Sequence, residues 1–259
     1  MVWCMGIDIG ATYSKGVLLR DSQTVAIAVR LSGTNHQATA SAIREKLLAK
    51  PGQAPPSIEV IATGIGAGNV TFAAGKISDI VCTARGINKV FPEAKTAIDI
   101  GAQSTRVIKL DSNGMVVTFA VSEKCAAGSG RFIEVIANVL RIRLEDFGPL
   151  SLKSKDPITF STGCAVFGES EAITRIAEGV PAPDIAAGVN LALASKVVSL
   201  VKRVGLDQPC AICGGGALNP GLITAVETGL GIKLLLPPQP QMITALGAAM
   251  QACSSPAAQ

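Results

Sequence analysis

The feature that most constrains this 259-residue chain is a repeat of itself. Ile7-Asp8-Ile9-Gly10-Ala11 returns unchanged as Ile98-Asp99-Ile100-Gly101-Ala102, 91 residues further on. In both places the pentamer closes an apolar run, small or hydroxyl residues follow, and a second apolar run begins, at Gly16 to Leu19 and at Val107 to Leu110. That order predicts a β-hairpin with an aspartate at the end of its first strand. Two such hairpins in one chain imply a duplicated α/β fold.

The segments between and after the hairpins alternate in type. Periodicity predicts helices at 39–49, 129–140, 166–177, 184–204, 221–229 and 243–252, with strands at 58–62, 209–213 and 233–236. No linker rich in Ser or charge separates the halves. At 48% hydrophobic and 16% charged the chain is too apolar to be disordered. Lys and Arg are scattered and only 3% of residues are aromatic, so nucleic-acid binding is not expected. Charged residues interrupt every long apolar stretch and no basic-then-apolar leader opens the chain. We expect no membrane association and a cytoplasmic location.

The single histidine, His36, expected in a polar loop from Ser32 to Gln37, leaves no basis for His-dependent triads or zinc sites. Seven cysteines, an odd number, argue for reduced thiols over a closed disulfide framework. Cys210 and Cys213 have Cys-x-x-Cys spacing, but on a strand positions i and i+3 point to opposite faces. These two, with Cys4, Cys82 and Cys253, are expected to be packing residues.

Glycine and small side chains let backbone N–H groups approach phosphate oxygens, and a strand-end carboxylate can hold a hydrated magnesium ion. Both hairpins have this chemistry. Asp8 and Asp99 are the acidic residues, with Gly10, Ala11, Thr12, Tyr13, Ser14 and Lys15 on one loop and Gly101 and Gln103 on the other. A third stretch, Gly214-Gly215-Gly216, follows the strand at 209–213 and can lie flat against a base or ribose. No lysine or histidine is placed to act as base, so Gln103 is expected to orient the attacking water, with Lys15 offsetting phosphate charge. On these three loops the chain resembles the superfamily of sugar kinases, heat-shock chaperone ATPases and actin. That resemblance implies duplicated ribonuclease-H-like lobes with a nucleotide cleft between them, lobe I being residues 1–95 plus 241–259 and lobe II residues 96–240.

Two further cysteines stand ahead of predicted helices, Cys125 in Lys124-Cys125-Ala126-Ala127-Gly128-Ser129-Gly130-Arg131-Phe132 and Cys164 in Cys164-Ala165-Val166-Phe167-Gly168-Glu169-Ser170-Glu171. A helix N-terminus lowers a thiol pKa, so both suit thiolate chemistry. A four-iron cluster needs four thiolates, and a two-fold dimer would supply the other two.

These two segments resemble the activator components of 2-hydroxyacyl-CoA dehydratases and the related ATPase subunits of benzoyl-CoA reductases. The resemblance implies one [4Fe-4S] cluster per homodimer or heterodimer, held by Cys125 and Cys164 of each chain. It implies ATP, ADP and Mg2+ as cofactors, with Glu134 and Gln241 also at the nucleotide. It further implies ATP-driven injection of low-potential electrons into a CoA-ester dehydratase or reductase iron–sulfur protein, from a donor such as ferredoxin or flavodoxin. Alternatives within this group are the ATPase subunit of a benzoyl-CoA reductase and the reductase of a double-cubane cluster protein. Outside it stand a cluster-free small-molecule kinase and a nucleotide-switched binding protein. The chain departs from the usual pattern at Ala102 and Ser104, which replace Gly and Asp, and at Thr83, which replaces a His.

Overall fold

A computed structural model describes residues 1–49, 57–122, 128–161 and 165–254. The chain divides into two compact units: Met1–Ala94 with Leu110–Val117 and Met242–Gln259, and Lys95–Lys109 with Thr118–Gln241.

The first unit is built on a five-stranded sheet of order β3-β2-β1-β4-β5, from β1 (Trp3–Ile9), β2 (Tyr13–Arg20), β3 (Gln23–Leu31), β4 (Glu59–Thr63) and β5 (Gly75–Lys76). β1 runs antiparallel to β2, with Asp8 opposite Lys15, and parallel to β4, with Asp8 opposite Thr63. The second unit has a four-stranded sheet of order β8-β7-β6-β9, from β6 (Thr96–Ile100), β7 (Thr105–Leu110), β8 (Val116–Val121) and β9 (Cys210–Cys213). Here β6 runs antiparallel to β7, with Asp99 opposite Arg106, and parallel to β9, with Asp99 opposite Cys213. The sequence repeat is therefore a repeat of strand pairing. The expected duplicated α/β fold is what the chain adopts.

β1 is buried along its whole length because both its faces are covered, which is why it reads as a continuous apolar run. Met5, Ile7 and Ile9 meet α1 (His36–Leu48) through Ala40, Ile43 and Leu47, spaced for one helical face. On the opposite side Cys4, Val17 and Leu19 meet α2 (Asp79–Val90) and α8 (Ile243–Cys253), the latter through Ala245, Ala248, Ala249 and Ala252. α8 is made of small residues because it lies almost on the neighbouring backbone. A methyl group on Gly247 would strike the Cys82 carbonyl, and one on Gly6 would strike the backbone of Ala245 and Ala249.

In the second unit α3 (Gly130–Val139), α4 (Leu144–Ser151), α5 (Ala165–Ala177), α6 (Ala182–Val204) and α7 (Pro220–Leu230) surround one core. Ile98, Ile100, Val107 and Ile212 from the strands meet Phe132, Ile136, Phe147, Val189, Leu193 and Val197 from the helices. α6 is long and apolar enough to cross a membrane, but 67% of its apolar window is buried within the protein, as befits a core helix.

Three expectations are corrected. His36 is the first residue of α1 and not a loop residue, because Asn35 caps the helix, its Oδ1 accepting from Ala38 N at 2.9 Å. The strand expected at 233–236 is a single parallel bridge between Ala211 and Leu235, since Pro237 and Pro238 follow without a backbone donor. Cys4 and Cys253 are not free packing residues but a disulfide, Cα atoms 5.3 Å apart, because α8 brings the chain's end back onto its first strand.

The contact of α8 with α2 yields a test. Gly247→Ala should lower stability by about 1–3 kcal/mol, the usual cost of forcing atoms into a filled space, read as a lower urea midpoint.

Candidate functional site

The two units carry the same arrangement at the same place. In the first, β1 delivers Asp8 to its C-terminal end, where the residue is 7% exposed. Lys15, across the hairpin, puts Nζ 3.1 Å from Asp8 Oδ2. The parallel neighbour β4 then ends in Gly64, at φ +85°, and a side chain there would collide with Asp8 Oδ1. In the second unit Asp99 is 4% exposed and Arg106 Nη1 is 2.8 Å from its Oδ2. β9 ends in Gly214, at φ +86°, where a side chain would collide with Asp99 Oδ1. Only glycine combines that left-handed backbone with so close an approach.

Gly64-Ile65-Gly66-Ala67-Gly68-Asn69 is thus the counterpart of Gly214-Gly215-Gly216-Ala217-Leu218-Asn219, and sequence reasoning recognised only the second. Both loops make a short 3-10 turn, and a side chain on Gly66 or Gly216 would strike the side chain of Ile9 or Ile100 respectively. The shared pattern Gly-x-Gly-Ala-x-Asn was the available signal.

The other expected residues fall as follows. Gly10, Ala11 and Thr12 are half-buried and Tyr13 is exposed. Ser14 is turned inward and fully buried, its Oγ 2.8 Å from Ser32 Oγ. Ser32 in turn donates to the Gly10 carbonyl at 2.6 Å and its amide to the Thr12 carbonyl at 2.9 Å, pinning the loop from beneath. In the second hairpin Gln103 is exposed. The carbonyls of Gly101 and Ala102 accept from the amides of Gly130 (2.9 Å) and Arg131 (3.1 Å), so this loop sits on the first amides of α3. Glu134 lies on α3, half-buried, its Oε2 2.9 Å from Arg131 Nη1. Gly214 donates to the Pro240 carbonyl at 3.0 Å, next to Gln241, whose Oε1 is buried with no hydrogen-bond partner among the described residues.

Cys125 and Cys164 lie outside the described residues. α5 begins at Ala165, and Ser161 donates through N (3.0 Å) and Oγ (2.8 Å) to the Glu171 carboxylate of that helix. The three described free thiols belong to the interior. Burial pushes Cys82 and Cys210 up to about 12, and burial with the neighbouring Asp99 charge pushes Cys213 well above the ordinary value. Among the described residues no group of three or more His, Cys, Asp or Glu side chains could hold a metal ion. His36 lies beside Asn69, Nδ1 3.4 Å from Asn69 Nδ2, in an exposed contact.

Buried aspartates at the ends of paired hairpins, each overlaid by a glycine turn, define a duplicated α/β protein of the actin and sugar-kinase type. The chain belongs to the BadF/BadG/BcrA/BcrD ATPase family, whose model matches residues 5–252. It is 38% identical to the 2-hydroxyisocaproyl-CoA dehydratase activator of Clostridioides difficile, across 97% of this chain and 95% of that one. It is 37% identical to the (R)-2-hydroxyglutaryl-CoA dehydratase activating ATPase of Acidaminococcus fermentans, across 97% of each. The crystal structure of the Clostridium difficile activator with bound ADPNP superposes with a TM-score of 0.93 at 40% identity, covering 97% of this chain and 94% of that one.

The thiol environments give a prediction. At pH 8 a thiol with pKa about 12 is ionised to roughly one part in ten thousand, so Cys82 and Cys210 should resist iodoacetamide in the native protein, and Cys213 likewise. All three should be alkylated after denaturation, as peptide mass mapping would show.

Proposed function

We propose that this protein is an ATP-hydrolysing electron donor that works as a dimer and passes low-potential electrons to a CoA-ester dehydratase-type iron–sulfur partner, after reduction by a ferredoxin or flavodoxin. The observation that carries the reading is the distribution of the cysteines. Of seven, Cys4 and Cys253 are bridged and Cys82, Cys210 and Cys213 are buried with raised pKa values. Cys125 and Cys164 remain, one five residues ahead of α3 and the other immediately ahead of α5. Two thiolates per chain fit half of a four-iron cluster, the second half coming from another copy. α5 also exposes Val166 (70%), Phe167 (68%) and Ile173 (54%), an apolar surface of the kind that a second copy covers. Bound between two such chains, a [4Fe-4S] cluster supplies one-electron transfer at low potential.

The residues of the strand ends have distinct tasks in this reading. Asp8 and Asp99 hold magnesium, mostly through water, each steered by its ion pair with Lys15 or Arg106. The backbone of Gly10 to Tyr13 and of Gly101 approaches the phosphates, Ser14 keeps the first loop in shape from below, and Lys15 offsets phosphate charge. Gln103, exposed on the second loop, orients the attacking water. Gly214 to Gly216 lie against the nucleoside, and the unpaired Oε1 of Gln241 offers an acceptor beside them. Glu134 holds Arg131 at the start of α3. Because the Gly101 and Ala102 carbonyls are bonded to the first amides of α3, displacement of this loop displaces the helix.

Anaerobic purification tests the proposal directly: a brown dimer with about four irons is expected, and a colourless protein contradicts it. Cys125→Ser or Cys164→Ser, each present twice per dimer, should reduce bound iron to a small fraction while ATP binding is retained. Gln103→Ala should slow ATP turnover about tenfold or more, with little change in nucleotide affinity.

A further inference from the structure

The two glycine loops share a backbone path but not an anchorage. In the first unit Asn69 is exposed, with Nδ2 3.3 Å from the Gly66 carbonyl and 3.4 Å from His36 Nδ1. Its counterpart Asn219 is 8% exposed and caps α7, Oδ1 accepting from Leu222 N at 3.0 Å. Asn219 also pairs with Asn190, an otherwise unexplained amide in the middle of the apolar core helix α6 and 2% exposed. Asn219 Nδ2 donates to Asn190 Oδ1 at 2.9 Å, and Asn190 Nδ2 donates to Asn219 Oδ1 at 3.4 Å and to Ser151 Oγ of α4 at 2.8 Å. Ser151 Oγ in turn donates to the Gly148 carbonyl at 2.7 Å. The loop and α7 come so close that a side chain on Gly221 would strike Ser151 Oγ, and one on Gly148 would lie 2.6 Å from Asn219 Oδ1.

Burying three polar side chains is expensive unless all are paired, and here all are. An apolar residue at Asn190 would serve the helix as well or better, so the network is explained by what it holds. We propose that Asn190 is a positioning residue for nucleoside recognition: through the reciprocal amide pair with Asn219 it fixes the loop Gly214–Asn219 to the core of the second unit. Asn190 itself touches no nucleotide. The inference rests on the reading of Gly214 to Gly216 as the nucleoside loop. A loop that meets a flat ligand through backbone alone has no side chain to adapt with, so its position must be set from behind.

The test separates positioning from general stability. Asn190→Ala should raise the KM for ATP about tenfold and change kcat at saturation less than about twofold. Inhibition by inorganic tripolyphosphate, which lacks the nucleoside, should be unchanged. Leu193→Ala, one turn along the same helix and fully buried in the same core, should lower stability without moving the KM. If Asn190→Ala does not fold, Asn190→Ser carries the same expectation. A KM within twofold of wild type, a KM raised equally by Leu193→Ala, or an equal loss of tripolyphosphate inhibition overturns the inference. Adenosine competition on the wild-type protein tests the underlying reading separately. Failure of adenosine to compete refutes the loop's role altogether, whereas competition with an unaffected Asn190→Ala refutes only the anchor.

Discussion

Each half of the protein is organised around one buried carboxylate paired with a cation across a hairpin. Asp8 and Asp99 are the one charged residue of β1 and of β6, which are otherwise apolar, and each faces a cation on the neighbouring strand, Lys15 or Arg106. A carboxylate so little exposed needs its partner: removing the cation from a buried pair generally costs about 3–5 kcal/mol, because the remaining charge is stranded. The pair demands a hairpin register that sets residues 8 and 15, or 99 and 106, opposite each other. It also demands that the parallel neighbour end in a residue without a side chain, which Gly64 and Gly214 satisfy. Hairpin register and glycine turn both meet at the same buried carboxylate.

The two copies diverge where their surroundings differ. The first loop is pinned from beneath by Ser14 and Ser32. The second is bonded to the first amides of α3, and its glycine turn is fastened through Asn219 to α4 and α6. The first unit therefore offers a locally braced strand end. The second ties its strand end to α3, the helix that follows the Cys125 segment, and to α4 and α6.

The three described free cysteines belong to the interior. Cys82, Cys210 and Cys213 sit where a thiolate would be unsolvated, and their raised pKa values follow. The reading of Cys210 and Cys213 as packing residues agrees with this, Cys210 contributing to the main core of the second unit. Cys125 and Cys164 differ from these in sequence position, standing ahead of α3 and α5, and helix N-termini favour negative charge.

Much of the architecture was legible in the residues themselves. The pentamer repeat, the apolar runs on either side of it and the helical periods at 129–140, 166–177 and 184–204 carried the duplicated α/β fold, because local backbone preferences and burial agree there. α4 was not legible, since Gly148 and Pro149 contradict a helix that tertiary contacts nevertheless impose. The bridge between Cys4 and Cys253, the inward turn of Ser14 and the pairing of Asn190 with Asn219 belong to the tertiary structure alone. Each depends on chain segments brought together by strand pairing or helix packing and not by neighbourhood in sequence; the first spans 249 residues. Sequence by itself determined which residues carry charge, glycine and sulfur at strand ends and before helices. Folding decided which of them meet, because only packing sets the distances at which a charge is neutralised, an amide paired or a glycine required.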